Sequence, residues 1–176
     1  IRSCATLANF LGFYLNLIRD NVVSVDTNSS SEIFEQIIRI TEEDVIIGIS
    51  FPRYSMRTLK ALEFANNRGA KIITLTDSVH SPMNLYSSCS LIARSDMASI
   101  VDSLVAPLSV INALVVALCM KKQDEVVDTL GTLEQIWDEY QVYSSDELHP
   151  VSDKIPLHFP DQKKVNDQRR TEWEKQ

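Results

Sequence analysis

The sequence predicts an α/β fold: a doubly wound, mainly parallel sheet with helices on both faces. Three observations carry that expectation. Short β-branched runs alternate with helical segments along the chain, the pattern of right-handed βαβ units. The run from Asp44 to Ile49 is apolar without alternation after its first residue, as in a strand covered on both faces. Helix start and stop signals fall where such units need them, with Ser55 ahead of one helix and Gly69 after it.

The elements follow in order. Residues 3–18 read as a helix with Leu7, Leu11, Leu15 and Ile18 on one face and Phe10, Tyr14 and Leu17 widening it. A helix that apolar needs cover on two sides. Val22–Val25 reads as a short strand, and Ser29, Ser30 or Ser31 as the cap of a helix carrying Ile33, Phe34, Ile37 and Ile38. Residues 44–49 form the clearest strand, 55–68 a helix with Leu59, Leu62 and Ala65 inward, and Lys71–Leu75 the next strand. A last strand is expected from Cys89 to Ala93. Two long helices then carry Leu104, Leu108, Ile111, Val115 and Leu118, and Val126, Leu130, Leu133, Trp137 and Tyr140.

This gives one domain over residues 1–143. From Ser144 onward Pro150, Pro156 and Pro160 break any helix, and the residues beyond Phe159 are almost all polar, so 144–176 reads as a C-terminal tail. A doubly wound sheet of this order normally has a strand ahead of its first helix. The sheet is therefore expected to be one strand short, or its first strand to lie outside this sequence.

Composition narrows the function. The 176 residues include 44% hydrophobic and 23% charged side chains, ordinary for a globular protein. A net charge of −7 argues against nucleic acid binding to this surface, so an anionic ligand has to be held by a local pocket. Cys4, Cys89 and Cys119 are far apart and form no CxxC or CxxH spacing, which predicts reduced thiols, no metal and a cytoplasmic location. Leu104–Met120 approaches the length of a membrane span but contains Pro107, Ser109 and Asn112, and reads as a buried helix. The first residues lack the marks of a signal peptide.

In open α/β sheets, ligands bind beyond the carboxyl ends of the strands. After Asp44–Ile49 comes Ser50-Phe-Pro-Arg-Tyr-Ser55, leading directly into a helix. Two hydroxyls, a helix N-terminus and the planar guanidinium of Arg53 together suit a phosphate monoester. Ser55 also reads as an ordinary N-cap. After the next strand come Thr76-Asp77-Ser78 and Val79-His80-Ser81-Pro82; Asp77 can bind sugar hydroxyls or hold the neighbouring loops in place. Arg2-Ser3-Cys4 offers further N–H groups and a hydroxyl at the start of the first helix. A phosphate-receiver domain would need acidic strand ends, where this chain has Ser50, and a dinucleotide site would need a GxGxxG turn, which the four glycines do not form.

The stretches DVIIGISFPRYSMRTLKALEFA (44–65) and RGAKIITLTDS (68–78), followed by Ser81-Pro82, resemble the SIS (sugar isomerase) domain of RpiR/MurR-type transcription regulators. The likeness runs from residue 1 to about residue 143, and its specificity lies in the joint pattern. It implies a flavodoxin-like strand order, with phosphosugar-binding hydroxyls carried over to Ser3, Ser50 and Ser55. The full expected ligand set is Arg2, Ser3, Ser50, Arg53, Tyr54, Ser55 and Asp77. Pro52-Arg53 stands where the general SIS signature has Ser-Gly, which points toward the regulator branch and away from the isomerases. Cys4 stands where a second small hydroxyl is often found.

The resemblance implies a non-catalytic effector domain that binds a sugar phosphate, needs no cofactor, forms a homodimer and reaches DNA only through a helix-turn-helix domain that this sequence does not contain. An aldose–ketose isomerase is the alternative. It requires a general base, and of the three histidines only His80 lies near a strand end, while Glu63 sits about two turns into its helix. His149 and His158 fall in the tail. The apolar excess on the first helix and on residues 104–118 agrees with a dimer, or with cover from the tail.

Overall fold

The computed structural model describes residues 3–25, 30–94 and 103–143. Arg2 and the tail from Ser144 on, with His149 and His158, lie outside the described residues. The chain divides into two compact units, Ile1–Lys122 and Gln123–Gln176.

The first unit holds a parallel sheet of three strands, β1 (Val45–Ile49), β2 (Lys71–Thr76) and β3 (Cys89–Ile92), in the order β1-β2-β3. Helices cover both of its faces. On one side α1 (Ser3–Ile18) and α4 (Val105–Lys121) bury Leu7, Leu11 and Ile111 against Ile49, Leu75 and Ala93. On the other, α3 (Met56–Asn67) lays Leu62 over Ile72, with Met83 beside them. The period-2 geometry of a strand explains the split: Ile49 and Leu75 point to the first face, Ile46 and Ile72 to the second. The α/β class and the parallel sheet expected from the sequence are therefore what the chain adopts.

Local signals act as read. Ser55 caps α3, its Oγ accepting from the N–H of Thr58. At the other end Gly69 takes φ 82°, and the bonds from Gly69 N–H to the Asn66 carbonyl (2.9 Å) and from Ala70 N–H to the Ala65 carbonyl (3.1 Å) close the helix in a Schellman motif. α2 (Ser30–Ile37) packs Ile33 and Ile37 against Ala61.

One element corrects the sequence reading. Val22–Val25 joins no ladder and has no regular structure. Strand propensity reflects fit to a pleated, half-buried surface, and Val23, 71% exposed, has none to fit. The segment is held instead by Ser24 against Gly12 of α1 and by Val25 against the cluster of Ile33, Ile37 and Ala61. No strand beyond β2 pairs with β1 among the described residues, so its other edge is open there.

A short 3₁₀ helix, η1 (Pro82–Tyr86), was not expected. Ser81 caps it by accepting from Met83 N–H, with Pro82 at its first position. In the second unit α5 (Gln123–Glu139) buries Val126 and ends with Gln141 at φ 49°. No single helix among the described residues is long and apolar enough to cross a membrane.

Candidate functional site at the carboxyl ends of the strands

The site grows from the end of β1. Ser50 follows the strand and is still tied to the sheet, its N–H donating to the Leu75 carbonyl at 3.2 Å. It is buried, and its Oγ accepts from the N–H of Ser55 at 3.2 Å. Ser55 in turn accepts from Thr58 N–H at its Oγ and from Leu59 N–H at its carbonyl. The two serines thus form one relay from the strand end to the first turn of α3. The first turn of α3 contains no carboxylate, so the positive end of its dipole is uncompensated from within the helix. Between the serines the loop turns at Pro52 and Arg53; Arg53 has φ 64°, and both side chains are exposed.

Tyr54 crosses to the next loop. Its hydroxyl donates to Asp77 Oδ1 at 2.8 Å, directly after β2. The Thr76 hydroxyl lies 3.1 Å from the same carboxylate oxygen and 2.8 Å from Ser81 Oγ. Thr76 and Ser81 are buried, so a connected polar chain runs Tyr54, Asp77, Thr76, Ser81 across two loops. The Tyr54 phenol is pushed above its ordinary 10.0, first by burial and then by the hydrogen bond to Asp77, while Ser81 pulls it the other way. Beneath lies a second network: Thr74, wholly buried, bonds Asn84 Oδ1 at 2.6 Å, and the Asn84 amide donates to the carbonyls of Ser78 and Val79. This network anchors η1 and with it the loop that carries Ser78 to Ser81.

Of the expected ligand residues, Ser50, Arg53, Tyr54, Ser55 and Asp77 are brought together at this end of the sheet. Ser3 begins α1. Its neighbour Cys4 packs against the same core cluster as Phe51, the neighbour of Ser50. The bonds of Asp77 Oδ1 to Tyr54 and Thr76 fit the loop-holding role. Thr76 and Ser81, read in the sequence as polar residues after the strand Lys71–Leu75 but not among the expected ligand set, are the buried hydroxyls that complete the chain. The signal for Ser81 was the Ser-Pro pair, a helix-start pattern set too close to the strand to be read as one.

The candidate bases His80 and Glu63 belong to the loop after β2 and to α3. His80 is exposed on the loop after β2. Glu63 lies by the Tyr86 hydroxyl of η1, whose pKa is raised by partial burial and then by that carboxylate. Among the described residues no group of histidine, cysteine and carboxylate side chains has the arrangement of a metal site. All three cysteines are free, and burial pushes the Cys119 thiol up.

Comparison with known proteins places this geometry. The family profile of the SIS domain matches residues 1–117. An uncharacterized HTH-type transcriptional regulator of Haemophilus influenzae is 26% identical over 110 residues, 60% of this chain and 38% of the relative. The chain thus spans well under half the length of that curated relative. The sugar isomerase domain of an RpiR transcription factor from Sphaerobacter thermophilus superposes with a TM-score of 0.66 at 26% identity, over 74% of this chain and 73% of that one. The Vibrio vulnificus NanR protein complexed with ManNAc-6P shares the fold, with a TM-score of 0.63 at 18% identity, over 77% of this chain and 53% of that one. With the profile match covering most of the α/β unit, this chain belongs to the SIS domain family.

Proposed function

We propose that this chain is the phosphosugar-binding effector domain of an RpiR-type transcription regulator, a cytoplasmic sensor without catalytic activity of its own. The observation that carries the reading is the relay from Ser50 through Ser55 into α3, with Arg53 exposed between them. Hydroxyls, helix N–H groups and a guanidinium are the donor set that a phosphate monoester requires. The ligand class has support from NanR, a protein of the same fold complexed with ManNAc-6P. Arg2, Ser3, Ser50, Arg53, Tyr54, Ser55 and Asp77 are the proposed ligand residues, with Tyr54 and Asp77 shaping the pocket wall. A non-catalytic role is favoured because the Glu63 carboxylate is engaged by the Tyr86 hydroxyl and Asp77 Oδ1 by that of Tyr54.

The functional unit in this proposal is a homodimer. Both α1 and α4 leave large apolar side chains exposed, Phe13 at 62% and Val116 at 55% among them, and a second copy would cover them. DNA is reached only through a helix-turn-helix domain in the same regulator.

A thermal-shift series with hexose and amino-sugar 6-phosphates, N-acetylmannosamine 6-phosphate included, tests the reading against the free sugars. Ligand at a hundredfold over Kd stabilises by about 2.7 kcal/mol, a rise of about 5–10 °C for a chain this size. The phosphorylated ligand raises Tm, the free sugar does not, and Ser50→Ala removes the rise. A native protein that responds to no phosphosugar overturns the sensor reading. Aldose–ketose turnover of any of these ligands, followed by NMR, overturns the non-catalytic one.

A further inference from the structure

We infer that Arg53 is the charge-reading residue of the site, held in an unfavourable backbone conformation for the sake of a doubly charged anion; this rests on the proposed phosphosugar reading and goes further by naming the ionic form recognised. The described residues contain four positions with positive φ: Asn21, Arg53, Gly69 and Gln141. Three have a local reason. Gly69 and Gln141 close the ends of α3 and α5, the latter through Val142 N–H to the Trp137 carbonyl at 3.0 Å. Asn21 follows α1 and belongs to the residue type that tolerates the left-handed region. Arg53 alone stands ahead of a helix, on the loop beyond β1.

Pro52 followed by a left-handed residue is the order of a type II turn, whose third position favours glycine because a Cβ there crowds the carbonyl. Among the described residues the arginine side chain gives the fold nothing in return. It is exposed, and among the described residues no hydrogen bond, ion pair or ring contact engages it. Packing and pairing therefore do not account for arginine at a position that glycine fills without strain. Its place does: Arg53 lies between Ser50 and Ser55, whose hydroxyls line the loop, and next to Tyr54, which fastens the loop to Asp77. Strain kept at such a point marks a residue selected for what it binds.

A guanidinium that acts by charge distinguishes the two ionic forms of a phosphate monoester, whose second proton leaves near pH 6. Native affinity for the tightest-binding sugar 6-phosphate is expected to rise by about tenfold from pH 5 to pH 7.5, and Arg53→Gly to flatten that rise.

The test uses the full chain, native and as Arg53→Gly and Arg53→Lys, with sugar 6-phosphates and inorganic phosphate as probes. Unliganded Arg53→Gly should melt no lower than native, and about 2 °C higher if the strain is fully relieved. Its affinity for phosphorylated probes at pH 7.5 should fall about tenfold or more, with Arg53→Lys in between. A lower Tm for the unliganded glycine variant overturns the strain argument. Native-like affinity in that variant overturns the role of Arg53 and leaves the phosphosugar reading standing. A native protein that binds none of the probes overturns both.

Discussion

The hydroxyl of Tyr54 and the Oδ1 of Asp77 meet at 2.8 Å although 23 positions separate them in sequence, and this bond fastens the loop after β1 to the loop after β2. A second tie runs from Ser50 N–H across to the Leu75 carbonyl of β2, while Asp77 is held by Thr76, whose hydroxyl pairs with Ser81. The bond makes the two strand ends one rim, so the serine relay keeps its shape without a ligand.

Tyr54→Phe removes that bond and keeps the ring. A hydrogen bond to a charged group at a partly buried site contributes about 1.5–3 kcal/mol, so the variant should melt several degrees lower. The alkaline limb adds an independent reading. The folded-state pKa of Tyr54 lies above 10.0, so the folded protein holds this proton more tightly than the unfolded chain. The stabilisation is complete below pH 10 and disappears as pH climbs through the folded value. Native Tm should therefore fall more steeply than that of Tyr54→Phe above pH 10. Parallel curves would show that Tyr54 is not the titrating group.

Gly48 explains how α3 comes close to the sheet. A Cβ on Gly48 would stand 2.9 and 3.0 Å from the two terminal methyls of Leu62 and 3.3 Å from the Met83 methyl. Leu62 and Met83 are themselves buried, so neither can swing clear. Gly48→Ala should destabilise the protein by about 1–3 kcal/mol, through overpacking. Gly131 in α5 is the control, since a methyl group there meets nothing within 4 Å. Gly131→Ala should be neutral or stabilise by up to about 1 kcal/mol through helix propensity. Urea melts of the two variants give opposite signs; a tolerated Gly48→Ala would mean that α3 is free to lift.

Elements that bury a periodic apolar face were legible in the sequence. Leu7 and Leu11, Ile33 and Ile37, and Leu62 and Ala65 all point inward as the helical spacing requires, and Ser55 and Gly69 bound α3 as their residue types dictate. Val22–Val25 misled because β-branching favours a strand only when a ladder is there to receive it. η1 escaped because polar bonds shape it, Thr74 to Asn84 above all, and such bonds leave no periodicity. At the site, Ser50, Arg53 and Ser55 were readable from order alone, as strand end, turn and helix start. The pairing of Tyr54 with Asp77 was not, because it depends on side-chain direction. Pro52 announced a turn, but residue preferences put glycine, not Arg53, at the left-handed position.

The edge of β1 yields the last expectation. The bonds from Lys71 N–H to the Asp44 carbonyl and from Ser50 N–H to the Leu75 carbonyl fix the parity of this ladder. In a parallel pair every second residue faces the partner, so Asp44, Ile46, Gly48 and Ser50 turn their backbone groups to β2, and Val45 and Ile47 turn theirs away. No strand meets them among the described residues, and Val45 is 58% exposed. β2, by contrast, is paired on both sides, and Leu75 is 2% exposed. Hydrogen exchange should therefore reach the amides of Val45 and Ile47 at least about a hundredfold faster than those of Ile73 and Leu75, since an open edge exchanges through local fluctuation and a central strand only on larger opening. An unpaired edge is also a template for another strand. If protection at Val45 and Ile47 grows with protein concentration, the edge is pairing between copies; if it matches Leu75 at every concentration, the same chain already covers it.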